Sequence, residues 1–92
     1  MNVVTLVGRL TKDPEIKYGN SGKAYARFTL AIARPLNKDE TDFINCVAFG
    51  KTAELIEKYV KKGNRFGVVG RLQVGSYEKD GEKRITTDVM VD

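Results

Sequence analysis

Residues 42–63 read DFINCVAFGKTAELIEKYVKKG, and the change of period inside them decides the fold. Asp42–Phe49 has the make-up of a β-strand, aromatic at both ends, with Phe43, Asn45, Val47 and Phe49 on one parity. Thr52 then offers a helix N-cap, and Ala53, Ile56, Tyr59 and Val60 recur at helical spacing. Lys61 and Lys62 suit the negative end of such a helix, and Gly63 is a natural stop. A short helix of about two to three turns is expected directly after a strand.

On both sides the pattern is that of strands. Upstream, Val3–Leu10 is rich in Val, Leu and Thr, with Gly8 marking a bulge or a point of close packing. Asp13-Pro14 punctuates the chain, and Ile16-Lys17-Tyr18 is a short extended continuation. Gly19-Asn20-Ser21-Gly22 is a turn, since Gly and Asn reach positive φ at little cost. Ala24–Ala33 alternates, with Phe28, Leu30 and Ile32 on one face and Tyr25, Arg27 and Thr29 on the other. Arg34–Thr41 is polar, contains Pro35 and reads as a loop. Downstream, Arg65–Tyr77 is a longer strand interrupted by Gly67, Gly70 and Gly75. Lys79-Asp80-Gly81 makes a hairpin turn of the primed type, and Lys83–Val91 returns as the last strand.

Three strands, one helix, two strands is the order of an all-β, five-stranded Greek-key barrel of the OB type, with its short helix between strands three and four. Glycines inside strands fit the bending that a small barrel needs. A ubiquitin-like fold would carry its main helix after strand two, and an SH3-like fold has no helix of this length.

A chain of 92 residues suits one domain over residues 1–92, and 41% apolar with 30% charged residues is a folded composition. No run approaches the roughly 18–20 apolar residues of a membrane span, and no hydrophobic leader precedes the first strand, so a soluble, cytoplasmic protein is expected. Histidine is absent, which removes imidazole acid–base chemistry, Ser-His nucleophiles and His metal sites. The single cysteine, Cys46, closes no intrachain disulfide, and in mid-strand it reads as a small buried apolar residue. Gly50-Lys51-Thr52 imitates the end of a phosphate-binding loop, but Asn45 stands where that pattern needs its first glycine. Asp39, Glu40 and Asp42 crowd one loop, and Glu78, Asp80 and Glu82 one hairpin, without calcium-loop spacing; both sets are expected to be solvated charges. No catalytic residue, metal site or cofactor is expected.

What remains is charge. Sixteen Lys and Arg against twelve Asp and Glu give +4, which leans toward a polyanionic partner. Aromatic residues interleaved with basic ones carry the positive signal. Phe43 and Phe49 share one parity of strand three, and Tyr77 lies near the tip of the last hairpin. Pattern alone leaves each of these rings two roles, a place in the core or an exposed platform; Phe28 and Phe66 are the better core candidates. Exposed rings beside cations are the arrangement that single-stranded nucleic acid requires, because every base has a face to stack and cations follow the phosphates. An OB face that binds a protein or a sugar is the alternative of a different class.

Several runs together resemble one family. Leu6-Val7-Gly8-Arg9-Leu10-Thr11-Lys12-Asp13-Pro14-Glu15-Ile16-Lys17-Tyr18 is similar to the opening of bacterial single-stranded DNA-binding proteins. Phe28-Thr29-Leu30-Ala31, Asp42-Phe43-Ile44-Asn45, Phe49-Gly50-Lys51-Thr52-Ala53-Glu54 and Tyr59-Val60-Lys61-Lys62-Gly63 follow in that family's order. Gly70-Arg71-Leu72-Gln73, Ser76-Tyr77-Glu78 and Thr86-Thr87-Asp88-Val89 complete a likeness over essentially the whole chain. The resemblance implies an OB-fold that binds and protects single-stranded DNA, without sequence preference, in replication, recombination and repair. It also implies a cytoplasmic, nucleoid-associated homotetramer, a dimer of dimers paired partly through the first strands. By position, Phe43, Phe49 and Tyr77 match stacking aromatics. Lys17, Lys51, Lys62 and Arg84 match basic positions along the DNA path, and Arg34 resembles an Arg that precedes a further aromatic.

The chain departs from the family pattern at that further aromatic, where Leu36 stands, so one stacking platform is expected to be lost or reduced. Gly75 and Ser76 replace cations common at the base of the last hairpin. The sequence stops at Asp92, short of the family's glycine-rich linker and acidic tail, so recruitment of replication and repair proteins through a tail is not expected of these residues. A dimeric primosomal replication-restart OB protein is the neighbouring alternative.

Overall fold

The computed structural model describes every residue from Met1 to Asp92. Six strands are present: β1 (Val4–Leu10), β2 (Glu15–Tyr18), β3 (Ala24–Ala33), β4 (Thr41–Phe49), β5 (Arg65–Lys79) and β6 (Glu82–Val91). One helix, α1 (Gly50–Tyr59), joins β4 to β5. The sheet runs β1-β5-β6-β4-β3-β2, and a further pairing of β1 with β3 closes it on itself. The ring therefore has the expected five members, β1, β5, β6, β4 and β3, with the helix between the third and fourth of them in chain order.

β2 makes the sixth strand and corrects the simple count. It continues β1 along the same edge of β3, but the two are not one ladder. Between the pairs Leu10↔Leu30 and Glu15↔Arg27, the β1–β2 side spends Thr11–Pro14 while β3 spends only Phe28 and Thr29. Pro14 brings no N–H to a ladder, so the excess residues loop out at the Asp13-Pro14 step.

β1 is shared between two neighbours. Val4–Arg9 pair with β5, and Arg9 and Leu10 pair with β3. The crossing brings backbones close, which is the close-packing role foreseen for Gly8. A Cβ on Gly8 would lie 2.7 Å from the Ala31 carbonyl oxygen. Gly70 is the second such point, being in register with both Val4 and Val91, and a Cβ there would collide with the Met90 carbonyl. At the far end of the same strands, Asp80 and Gly81 both have positive φ, 54° and 79°, as a primed two-residue turn requires.

The interior is filled by small and medium residues: Leu10, Ala24, Ala26, Phe28, Leu30, Cys46, Ala48, Val68 and Val89 from the strands, and Ala53, Ile56 and Val60 from α1 and its end. Phe28 meets the partly buried Phe66 edge to face, with centroids 5.9 Å apart. Both rings thus pack in or against the core, as their flanking residues suggest.

Three expectations for the helix are corrected. It begins at Gly50 rather than after Thr52, because Gly50 takes φ 60° and turns the chain straight out of β4; no side chain caps it. Tyr59 lies outside the buried stripe, exposed under the Lys58 ammonium, which sits 5.4 Å from its ring centroid. The helix ends four residues before Gly63, whose φ of 83° serves the turn into β5 instead. Lys61 does serve the helix end as foreseen, its Nζ donating to the Glu57 carbonyl. No helix is long and apolar enough to cross a membrane.

The crowding at Gly70 predicts a large, local mutational effect. Gly70→Ala should lower the stability to urea by about 2 kcal/mol or more, in the manner of overpacking. Gly67→Ala in the same strand, where a Cβ would make an ordinary 3.5 Å contact with Val7 Cγ2, should cost less than about 1 kcal/mol. Equal losses in the two variants would refute the close-approach account.

Candidate functional site

Pairing registers divide the residues of the ring into an inner and an outer set. In β3 and β4 the antiparallel pairs Tyr25↔Phe49, Arg27↔Val47, Thr29↔Asn45 and Ala31↔Phe43 all belong to the outer set, while Ala26↔Ala48, Phe28↔Cys46 and Leu30↔Ile44 point inward. Parallel pairing of Val47 with Met90 carries the outer set onto β6, and Met90↔Arg71, Asp88↔Gln73 and Arg84↔Tyr77 carry it onto β5. Phe43, Phe49 and Tyr77 therefore share one face. None is a core ring: their exposures are 66%, 54% and 50%. The core role is excluded for all three, because the interior is already filled by Ala, Leu, Val and Cys.

The cations differ in how free they are. Lys17 lies on β2 in register with Tyr25, and its ammonium is 3.4 Å from Glu15. Arg84 is in register with Tyr77, 3.0 Å from Glu82. Both pairs are exposed and so are weak. Arg34 is held differently. Its Nε and Nη2 donate to Asp42, and its Nη1 donates to Glu40 at 2.6 Å. Hydrogen bonding to Asp42, and then its charge, raise the guanidinium pKa further, so Arg34 is a fixed cation clasped by two carboxylates. Glu40 and Asp42 are consequently ion-pair partners rather than freely solvated charges, a correction to the sequence expectation. Lys51, in the first turn of α1, and Lys62, in the turn after it, enter no ion pair. The Lys62 amide donates to Asp13 Oδ1 at 2.8 Å, which ties that turn to the β1–β2 loop.

Sequence pattern placed Tyr25 and Arg27 on the outward face of their strand but gave them no part in a site. The structure sets both among the singled-out residues. Tyr25 is half-buried and meets Phe49 with centroids 6.2 Å apart and rings tilted by 40°. Arg27 is exposed, stands beside Val47, and makes no ion pair. The alternation Tyr25-Ala26-Arg27-Phe28 was the available signal; what it lacked was the register that puts Phe49 opposite Tyr25. Leu36, by contrast, is fully exposed in the β3–β4 loop.

Cys46 lies beneath this face, buried at 1% exposure. Burial, and after it the charge of Asp88, push its thiol up from 9.0 to about 11. Gly50-Lys51-Thr52 leaves a strand without any wrapping loop, since β4 runs through Phe49.

A closed sheet of this order, with its helix between the third and fourth ring strands, is an OB-fold. The chain matches the single-strand binding protein family over residues 1–92 and belongs to it. It is 56% identical over 94 residues to the single-stranded DNA-binding protein of Clostridium perfringens, covering 100% of this chain and 63% of the relative. Likeness to the protein of that name from Fusobacterium nucleatum is 55% over 97 residues, covering 99% and 62%. For the one from Halalkalibacterium halodurans it is 47% over 97 residues, covering 100% and 58%. The chain thus spans about six-tenths of the length of these curated relatives.

The position of Cys46 gives a pH prediction. Below pH 9 the thiol is neutral in both folded and unfolded chains and contributes no pH dependence. Between about 9 and 11 the unfolded chain loses this proton while the folded one retains it, so the contribution to stability falls as pH rises. The urea midpoint should therefore drop more steeply over that range in the native chain than in Cys46→Val. Parallel pH profiles for the two would contradict the buried-thiol assignment.

Proposed function

We infer that this chain is a sequence-tolerant binder of single-stranded DNA with no catalytic step, acting as one module over residues 1–92. The observation that carries the reading is the outer face: three large rings left in solvent on a single sheet surface, bordered by cations. Phe43, Phe49 and Tyr77 stack bases, each worth about 1–3 kcal/mol. Lys17, Lys51, Lys62 and Arg84 follow the phosphates. Arg34 borders the path as a clasped cation, its carboxylate partners reducing what it offers a phosphate. Stacking together with counterion release keeps a strand unpaired and masked, the service that replication, recombination and repair need. The site of action is the cytoplasm, at the nucleoid.

The assembly proposed is a homotetramer built from dimers joined at β1. Its support is an open edge: β3 takes only Arg9 and Leu10, leaving Val4–Gly8 without a partner on that side. Val3, Val7 and Val69 are exposed nearby, and an unpaired apolar edge invites a second strand. Sedimentation at micromolar concentration separates a tetramer from the dimer of a replication-restart relative.

The primary test is an anisotropy titration of labelled oligo-dT at two salt concentrations, against a matched duplex. Tight, salt-sensitive binding to the single strand alone is expected. Equal affinity for duplex, or no binding at low salt, would overturn the reading and leave a protein-binding OB face. Two variants divide the mechanism. Phe43→Ala should weaken binding by about 1–3 kcal/mol with an unchanged urea midpoint. Lys51→Ala should lower the slope of log affinity against log salt by about 0.7.

A further inference from the structure

Two residues at the centre of the outer face have no part in the site so far proposed. Tyr25 and Phe49 are direct cross-strand partners, and their rings open onto one groove whose other walls include Val47, Gln73 and Met90. Arg27 lines that groove and also the neighbouring one, which runs beside Lys12, Thr29 and Asn45. It is the ridge between them. A strand that crosses this face from Phe49 toward Phe43 along β4 passes beside Arg27, because Arg27 is the cross-strand partner of Val47, which lies between those two rings.

The electrostatics leave the same residue free. Glu15 is the cross-strand neighbour of Arg27, yet its carboxylate lies 3.4 Å from Lys17, and no carboxylate comes within ion-pair distance of the Arg27 guanidinium. Asp88, the acidic residue on the far wall of the groove, is likewise unpaired with it. Lys17, Arg84 and Arg34 each have an internal partner to leave before they can meet a phosphate; Arg27 has none. An uncommitted guanidinium between two aromatic positions can take a phosphate oxygen pair, and its plane can lie along a base.

Resting on the single-strand reading above, we propose that Tyr25 and Arg27 form, with Phe49, a nucleotide subsite at the middle of the face. The Tyr25 ring is a base platform in its own right and not merely a support for Phe49, and Arg27 neutralises the adjacent phosphate.

The test uses the 92-residue chain and fluorescein-labelled oligo-dT, with urea midpoints measured in parallel. Tyr25→Leu should weaken binding by about fivefold to a hundredfold, the range that corresponds to one lost stack, and should weaken a Phe49→Leu chain further. Tyr25→Phe should retain affinity within about twofold, since the ring and not the hydroxyl stacks. Arg27→Gln should lower the salt slope by about 0.7. Native affinity in Tyr25→Leu, or no added loss in the Phe49→Leu background, would reduce Tyr25 to packing and overturn the platform. An unchanged salt slope in Arg27→Gln would overturn the phosphate contact, and it decides the matter if Tyr25→Leu fails to fold. These failures leave the functional reading standing as long as the unaltered chain binds oligo-dT; loss of binding by the unaltered chain takes down both.

Discussion

β1 cannot satisfy one neighbour without serving the other. Its first six residues pair with β5, and its last two pair with β3, so the ring closes only if the strand passes between them at Gly8–Leu10. That passage needs a residue without a Cβ against the Ala31 carbonyl, and Gly8 supplies it. It also needs the backbone beyond to be held. The Leu10 amide donates to the Asn64 carbonyl, the Gly63 amide donates to the Leu10 carbonyl, and the Thr11 amide donates to Thr29. The α1–β5 turn is thereby tied to the end of β1, and the Leu10 side chain is sealed inside. Closure of this kind distinguishes an inside from an outside for every other strand.

Once the inside is fixed, its volume explains the outside. Alanines at 24, 26, 48 and 53 let β3, β4 and α1 approach closely, and a small ring has little room beyond Leu10, Phe28, Leu30, Val68 and Val89. Large rings on the opposite parity have nowhere to go but solvent. Exposed aromatic clusters on one face are costly unless something covers them. A single strand of nucleic acid covers rings of any spacing, because each base offers a flat apolar face and the linking phosphates tolerate many paths. Shape, exposure and free cations are the features on which the single-strand reading proposed for this chain rests.

Local chemistry was legible from the chain because it depends on residues a few positions apart. The alternation in Ala24–Ala33, the primed turn at Asp80-Gly81, the buried thiol at Cys46 and the order of strands around one helix all rest on spacing or on backbone preference. The helix start was misjudged for the same reason: Thr52 is the better cap by residue type, but Gly50 at φ 60° turns the chain out of β4 and starts the helix two residues earlier. Tyr59 had helical spacing and was still left outside, since a helix seated through Ala53, Ile56 and Val60 buries only a narrow stripe.

By itself, then, the sequence determined the order of the ring strands and helix, the alternation of Ala24–Ala33, the absence of histidine chemistry and the pairing of aromatic with basic residues. Only the tertiary structure decided which rings face solvent, that Tyr25 lies against Phe49, that Arg34 is clasped by Glu40 and Asp42, and that Arg27 is not clasped at all. The physical reason is range. Propensity and period act along the chain over a few residues, whereas register between strands and the choice of ion-pair partner are settled by closing a ring whose members lie far apart in sequence.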